Sequence, residues 1–178
     1  APTIIPYAVA GANTPEEAHA LVRKLKQQGA AGLKVFINRP DVWEAIADEA
    51  KRLSLPIATD MKIQELDAIG AARLGVRSIE HWYGIPDAAT PGPQNFPDSY
   101  NYDNELDRFR WAGDIWRQAD SARLSAVLDT MLAHNVTWDP TFAIYEANRD
   151  LQRARTQPWF RDYALPQVMQ NFEPDATR

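Results

Sequence analysis

Cysteine is absent from this 178-residue chain, and so are a block of basic residues and a long apolar run. Without cysteine there are no disulfides or thiolate ligands, so a metal would need histidine, carboxylate or a modified lysine. A net charge of −5 without a basic block argues against nucleic acid as a partner. No segment approaches the roughly 18 apolar residues of a membrane helix, and the residues from Ala1 onward do not read as a secretion signal. We therefore expect a soluble protein, cytoplasmic or periplasmic, with neither membrane nor nucleic acid as a partner.

The composition is that of an ordinary globular domain. Hydrophobic residues make up 45% of the chain and charged residues 24%, which is enough apolar material for a real core. The length predicts a single domain over residues 1–178.

Strand-like and helix-like segments alternate along the chain. Short runs rich in β-formers predict strands at 3–9, 32–37, 56–59, 76–80 and 136–139. Apolar residues with helical spacing predict helices at 15–28, 41–53, 64–74, 121–135 and 142–155. Such alternation implies parallel strands with right-handed crossovers. A complete eight-unit barrel takes about 250 residues, so these five βα units predict an α/β fold that is a partial (β/α)8 barrel of the TIM type.

One long insertion, residues 82–120, interrupts this rhythm. It carries four prolines in its first part and eight of the 18 aromatic residues of the chain. A loop of this length in a compact domain is usually a lid or a binding loop, and a packed surface flap is the alternative. Residues 158–178 are rich in aromatics and proline and predict no clear element.

Three polar side chains stand at unusual places in or beside the predicted strands. Lys34 lies inside one strand, Asp60 follows the next, and His81 follows the third, at spacings of 26 and 21 residues. The carboxyl ends of neighbouring parallel strands meet at one edge of a sheet, where ligands bind. We therefore expect these three side chains to lie close together at the carboxyl edge of the sheet, and we call this site the mouth. Trp82 and Tyr83 follow His81 directly and are candidate substrate contacts at that mouth.

Four stretches of the chain, between about residues 15 and 150, carry a resemblance to a known family. They are Gly-Leu-Lys-Val-Phe at 32–36, Arg-Leu-Ser-Leu-Pro-Ile-Ala at 52–58, Gly-Val-Arg-Ser-Ile-Glu-His at 75–81 and Trp-Asp-Pro-Thr-Phe at 138–142. In this order they resemble the amidohydrolase superfamily, in particular its imidazolonepropionase-like and prolidase-like branch. The resemblance implies a metal-dependent hydrolase that acts on the C–N bond of an amide, cyclic amide or dipeptide.

The resemblance also implies roles for the three polar residues. The barrel of this family carries one or two divalent metals, which are expected to be zinc, and Lys34 matches a lysine, often carboxylated, that bridges them. His81 matches the sixth-strand histidine of the family, and Asp60 stands where the fifth strand normally offers a histidine. The first-strand His-x-His and the eighth-strand aspartate have no match in this sequence, so no catalytic residue is assigned. The five strands correspond to the third through seventh of the barrel, and we expect the isolated chain to be inactive.

Two other interpretations stay open at this point. In the first, the protein is a non-catalytic relative that binds a small molecule or a partner chain, because Asp60 offers an unmodified Lys34 an ion-pair partner that would replace the metal. In the second, an open part-barrel has its exposed edges covered by another chain, whether a second copy or the missing remainder of the barrel.

Overall fold

The structure is a computed structural model that describes residues 7–36, 39–60, 66–92, 97–101, 105–143 and 151–171. The chain forms two compact units, residues 1–140 and 141–178. Residues 3–6, 37, 64–65 and 144–150 belong to predicted strands and helices and lie outside the described residues, as do residues 93–96 and 102–104 of the predicted insertion.

A five-stranded sheet forms the centre of the first unit. Its strands follow one another in chain order, and every neighbouring pair is parallel: β1 (Tyr7–Ala10), β2 (Gly32–Val35), β3 (Ile57–Thr59), β4 (Ser78–Glu80) and β5 (Thr137–Asp139). The predicted α/β class and parallel sheet are therefore confirmed. The sheet is open, since β1 and β5 are not paired with each other within the described ranges. A closed TIM-type barrel stays a prediction.

The helices of the first unit connect these strands: α1 (Pro15–Gln27), α2 (Pro40–Arg52), α3 (Ala68–Arg73), α4 (Ile85–Ala88), α5 (Glu105–Gln118) and α6 (Ser121–Ala133). The described part of the second unit holds α7 (Leu151–Thr156), α8 (Pro158–Tyr163) and α9 (Pro166–Asn171). The last two helices fall where the sequence predicted no clear element. Both begin with a proline, which suits the first position of a helix. Among the described residues, no helix has the length and apolarity needed to cross a membrane.

Two side-chain hydrogen bonds cap the start of α1, in an arrangement close to a capping box. The Thr14 hydroxyl accepts a hydrogen bond from the Glu17 N–H at 3.2 Å, and the Glu17 carboxylate accepts one from the Asn13 N–H at 3.0 Å. The helix α2 begins one residue before the predicted start at residue 41. Arg39 is the N-cap residue and Asp41 lies in the first turn, because Pro40 already takes the first helical position.

The helices that precede β3, β4 and β5 end in the same way, with a residue in the left-handed conformation: Ser54 (φ 54°), Gly75 (φ 84°) and Asn135 (φ 56°). The next N–H then donates back five residues to a helix carbonyl, as in Val76 to Ala71 at 3.1 Å. This Schellman ending satisfies orphan carbonyls and turns the chain directly into the next strand.

The two faces of the sheet differ in character, because successive strand residues point to opposite sides. Leu33, Val35, Ile57 and Ile79 are at most 2% exposed and belong to the core, together with the large side chains of α2 such as Trp43. The opposite face of β2 and β4 carries Lys34, Ser78 and Glu80, all only partly buried. One face of the sheet is therefore apolar, and the other carries charged side chains near the carboxyl ends of β2 and β4.

Candidate functional site at the carboxyl ends of the strands

The structure places Lys34, Asp60 and His81 at the same edge of the sheet. Lys34 is in register with Ala58, and Ala58 is in register with Ser78. Asp60 follows the last residue of β3 and His81 follows the last residue of β4. Because the strands are parallel, all three residues stand at or near the carboxyl ends of three neighbouring strands, as the sequence predicted. Their functional roles stay predictions.

Lys34 forms an ion pair with Glu80. The Lys34 ammonium contacts the carboxylate of Glu80, which lies two strands away on β4. The side chains are 15% and 33% exposed, so the pair lies at the edge of solvent. The ammonium also lies 5.1 Å from the centroid of the Phe36 ring, a cation–π arrangement. Lys34 is thus held as a cation by a carboxylate and an aromatic face.

The sequence had offered Asp60 as the ion-pair partner of an unmodified Lys34, and the structure gives Lys34 a different partner, Glu80. Asp60 is only 4% exposed at the end of β3. The preceding Thr59 is buried as well, and its hydroxyl donates a hydrogen bond to the Val35 carbonyl at 3.1 Å. Sequence reasoning missed Glu80, although strand alternation already predicts that Glu80 and Ser78 share a face.

His81 adopts a left-handed backbone conformation, with φ 64°. This region is uncommon for residues other than glycine, and such outliers concentrate at functional sites. Two contacts with β5 hold the residue. The His81 N–H donates to the Asp139 carbonyl at 2.8 Å, and the indole N–H of Trp138 donates to the His81 carbonyl. The His81 ring also lies near Tyr83, with centroids 5.8 Å apart.

The described part of the 82–120 insertion packs against the helical layer. Its helix α4 contacts α3 and α6, and the Gly84 carbonyl accepts a hydrogen bond from the Ala68 N–H at 3.0 Å. Trp82 and Tyr83 are only 7% and 2% exposed, which leaves little of either side chain for a substrate. For these residues a packing role is therefore a better account than a lid. Their assignment as substrate contacts stays a prediction.

The residues at this edge do not fit the metal centre that the resemblance implies. Within the described parts of the chain, no group of three or more His, Asp or Glu side chains has an arrangement that could hold a metal ion. Lys34 presents an ammonium group paired with Glu80, whereas the family uses an anionic, carboxylated lysine at the matching place. A positive charge at that position opposes a divalent cation.

A separate cavity of about 340 Å³ lies at the opposite, amino edge of the sheet. Its lining includes Lys51, Arg73 and His134, each at the end of a helix. Basic side chains favour this position because of the helix dipole. We therefore assign these residues a structural role at the ends of their helices.

No protein-family model and no curated protein matches the chain. Among solved structures, a bottromycin amidohydrolase matches 64% of the chain at 23% identity with a TM-score of 0.42. A Xaa-Pro dipeptidase with methionine bound in its active site matches 90% at 18% identity with a TM-score of 0.45. This chain spans 25% and 32% of the length of those two chains. Likenesses at this level leave the site to be argued from the residues of this chain.

Proposed function

We propose that this chain supplies the central βα units of a hydrolase of the amidohydrolase type, which cleaves a C–N bond in an amide, cyclic amide or dipeptide. The mouth at the carboxyl ends of β2, β3 and β4 is the substrate site, and Lys34, Asp60 and His81 are the residues of this chain that form it. The activity belongs to the protein at its full natural length.

The conformation of His81 is the observation that carries this proposal. A histidine with a positive φ costs conformational energy, which the fold offsets with two hydrogen bonds between His81 and β5. Polar groups with little exposure at the same edge add support, since Asp60 is 4% exposed and the Lys34 side chain 15% exposed. Polar groups that are costly to bury, held at the carboxyl ends of parallel strands, are typical of active sites in this fold class.

A divalent metal, expected to be zinc, belongs to the proposal only at the level of the whole protein. Lys34 would have to leave Glu80 and become carboxylated before it could serve as an anionic ligand. His81 and Asp60 offer an imidazole nitrogen and carboxylate oxygens, both donors that zinc accepts. Since the arrangement described above does not fit a metal, no catalytic step is assigned to one here.

The test is an assay of the protein expressed at its full natural length. Dipeptides and cyclic amides would be incubated with it in the presence of Zn²⁺ or Mn²⁺ and bicarbonate. We expect hydrolysis that falls by at least about 10- to 100-fold in the variant His81→Ala, which is the range for loss of a residue that supports a metal ligand. The variant His134→Ala, at the end of α6, should retain full activity. Absence of hydrolysis, or equal activity of the two variants, would contradict the proposal.

One observation favours a second candidate function, which is non-catalytic binding of a small molecule at the same mouth. The Lys34–Glu80 ion pair satisfies both charges without a metal. In this case the full-length protein would hydrolyse none of the substrates. A dipeptide would still raise the thermal unfolding temperature, and the variant Lys34→Met would abolish that increase. An unfolding temperature that no dipeptide changes would exclude this candidate.

A further inference from the structure

We propose that Trp138 is a positioning residue for His81, and that the aromatic part of the 82–120 insertion holds Trp138 in place. This inference rests on the proposed function for the importance of His81. The role of the insertion is then different from that of a lid, because the insertion supports the residues of the mouth and does not cover them.

The contact between β5 and His81 involves both backbone groups of the histidine. Trp138 donates its indole N–H to the His81 carbonyl, and the carbonyl of Asp139 accepts the His81 N–H at 2.8 Å. Trp138 and Asp139, two consecutive residues of β5, thus both form hydrogen bonds with His81. The peptide groups on both sides of the His81 α-carbon are fixed, so φ and ψ of His81 are fixed as well. This backbone conformation sets the direction of the Cα–Cβ bond of His81 and limits the rotamers that its imidazole can adopt.

Trp138 is itself held by an aromatic neighbour from the insertion. Trp116 of α5 stacks on Trp138 with ring centroids 6.5 Å apart and an interplanar angle of 28°. Trp116 also contacts Trp82, at 6.4 Å between centroids, and Trp82 contacts Tyr83 edge-on at 4.7 Å. The Tyr83 ring reaches His81 at 5.8 Å. These contacts form a closed series. The first joins the His81 carbonyl to Trp138, and the last joins Tyr83 to the His81 ring.

A purely structural role for Trp138 would need only its ring. The indole face already packs against Trp116, whereas the indole N–H is directed at a backbone carbonyl of a strained residue. Phenylalanine would preserve most of the packing and lack the donor. The substitution Trp138→Phe therefore separates positioning from packing.

The experiment uses two-dimensional NMR of the ¹⁵N-labelled chain and needs no enzymatic activity. In Trp138→Phe we expect the His81 backbone amide to exchange with solvent about two- to tenfold faster, the effect of one lost hydrogen bond. The imidazole resonances of His81 should shift, whereas those of His19 and His134 stay in place. Trp116→Phe keeps the indole donor and should produce a smaller change, and Trp159→Phe, at a tryptophan that is 56% exposed, should produce none.

Unchanged His81 resonances in Trp138→Phe would overturn the proposal, and so would equal shifts of all three histidines. If the variant does not fold, the wild-type chain supplies the test, because the proposal requires the Trp138 indole N–H to be protected from exchange. An unprotected indole N–H would overturn it. These readouts are independent of the hydrolase assay, so displaced His81 resonances in a protein without turnover would leave the positioning role intact and reject the proposed function alone.

Discussion

Lys34 on β2 and Glu80 on β4 form an ion pair that spans the intervening strand β3. Ala58 of β3 is in register with both Lys34 and Ser78, and Glu80 lies two residues beyond Ser78 on β4. The pair links two strands that are not hydrogen-bonded to each other. It therefore contributes to the geometry of the mouth as well as to its charge.

The first prediction concerns the stability of this pair. The substitution Glu80→Gln leaves the Lys34 ammonium without its carboxylate, and we expect the free energy of unfolding to fall by about 1–2 kcal/mol. This value is below that of a fully buried pair, because Glu80 is 33% exposed. Urea denaturation of Glu80→Gln, Lys34→Met and the double variant would measure the coupling energy. The control is Glu44→Gln, at an exposed position of α2. If Glu44→Gln lost as much stability as Glu80→Gln, the stabilising role of the Lys34–Glu80 ion pair would be contradicted.

The second prediction concerns Glu49, which ties α1 to α2. Its side chain is 6% exposed and accepts hydrogen bonds from Arg52. Two groups of α1 lie close to the same carboxylate, His19 Nδ1 at 3.2 Å and Arg23 Nε at 3.6 Å. The hydrogen bond from Arg52 lowers the pKa of the Glu49 carboxyl below its ordinary value of 4.5. Because this pKa is lower in the folded state, the ionised carboxylate stabilises the fold at pH values above the ordinary pKa. This contribution is lost as the pH falls through the lowered pKa.

The measurement is urea denaturation of the wild type and Glu49→Gln between pH 7 and pH 3. At pH 7 the variant should be less stable by about 1–3 kcal/mol, and the difference should shrink as the pH falls below about 4.5. A difference that stays constant or grows as the pH falls from about 4.5 to 3 would show that the charge of Glu49 does not stabilise the fold.

The third prediction uses two glycines with opposite backbone requirements. Gly75 has φ 84° in the Schellman ending of α3, whereas Gly113 lies within α5, and an added Cβ meets no described atom within 4 Å at either position. Gly75→Ala should destabilise the chain by about 1–2 kcal/mol, because alanine is strained at positive φ. Gly113→Ala should stabilise it by about 0.5–1 kcal/mol through helix propensity. Thermal unfolding that moves in the same direction for both variants would contradict the backbone assignment.

Much of the fold was predictable from local signals in the sequence. The apolar period of each segment and the glycine or asparagine that ends a helix set the order of strands and helices, and parallel pairing follows from that order. The edge that carries Lys34, Asp60 and His81 was predictable for the same reason. These features depend on residues close together in the chain.

The partners at the mouth depended on contacts between distant segments. The sequence contains no signal that selects Glu80 rather than Asp60 for Lys34, because the choice depends on strand register and on the face that each residue takes. The contact of Trp138 with His81 likewise joins residues 57 positions apart. The aromatic insertion suggested a lid because composition alone does not distinguish a covering loop from one packed on helices.

The most direct test of the account is the metal content of this chain. The chain would be dialysed against metal-free buffer with bicarbonate, titrated with Zn²⁺ and Mn²⁺ by isothermal calorimetry, and analysed by mass spectrometry. A catalytic zinc generally needs three protein ligands, and here the Lys34 ammonium, paired with Glu80, stands where one should be. The account predicts no tightly retained metal and no turnover of a dipeptide or cyclic amide by this chain alone. Two retained equivalents per chain, or metal-dependent turnover, would contradict it.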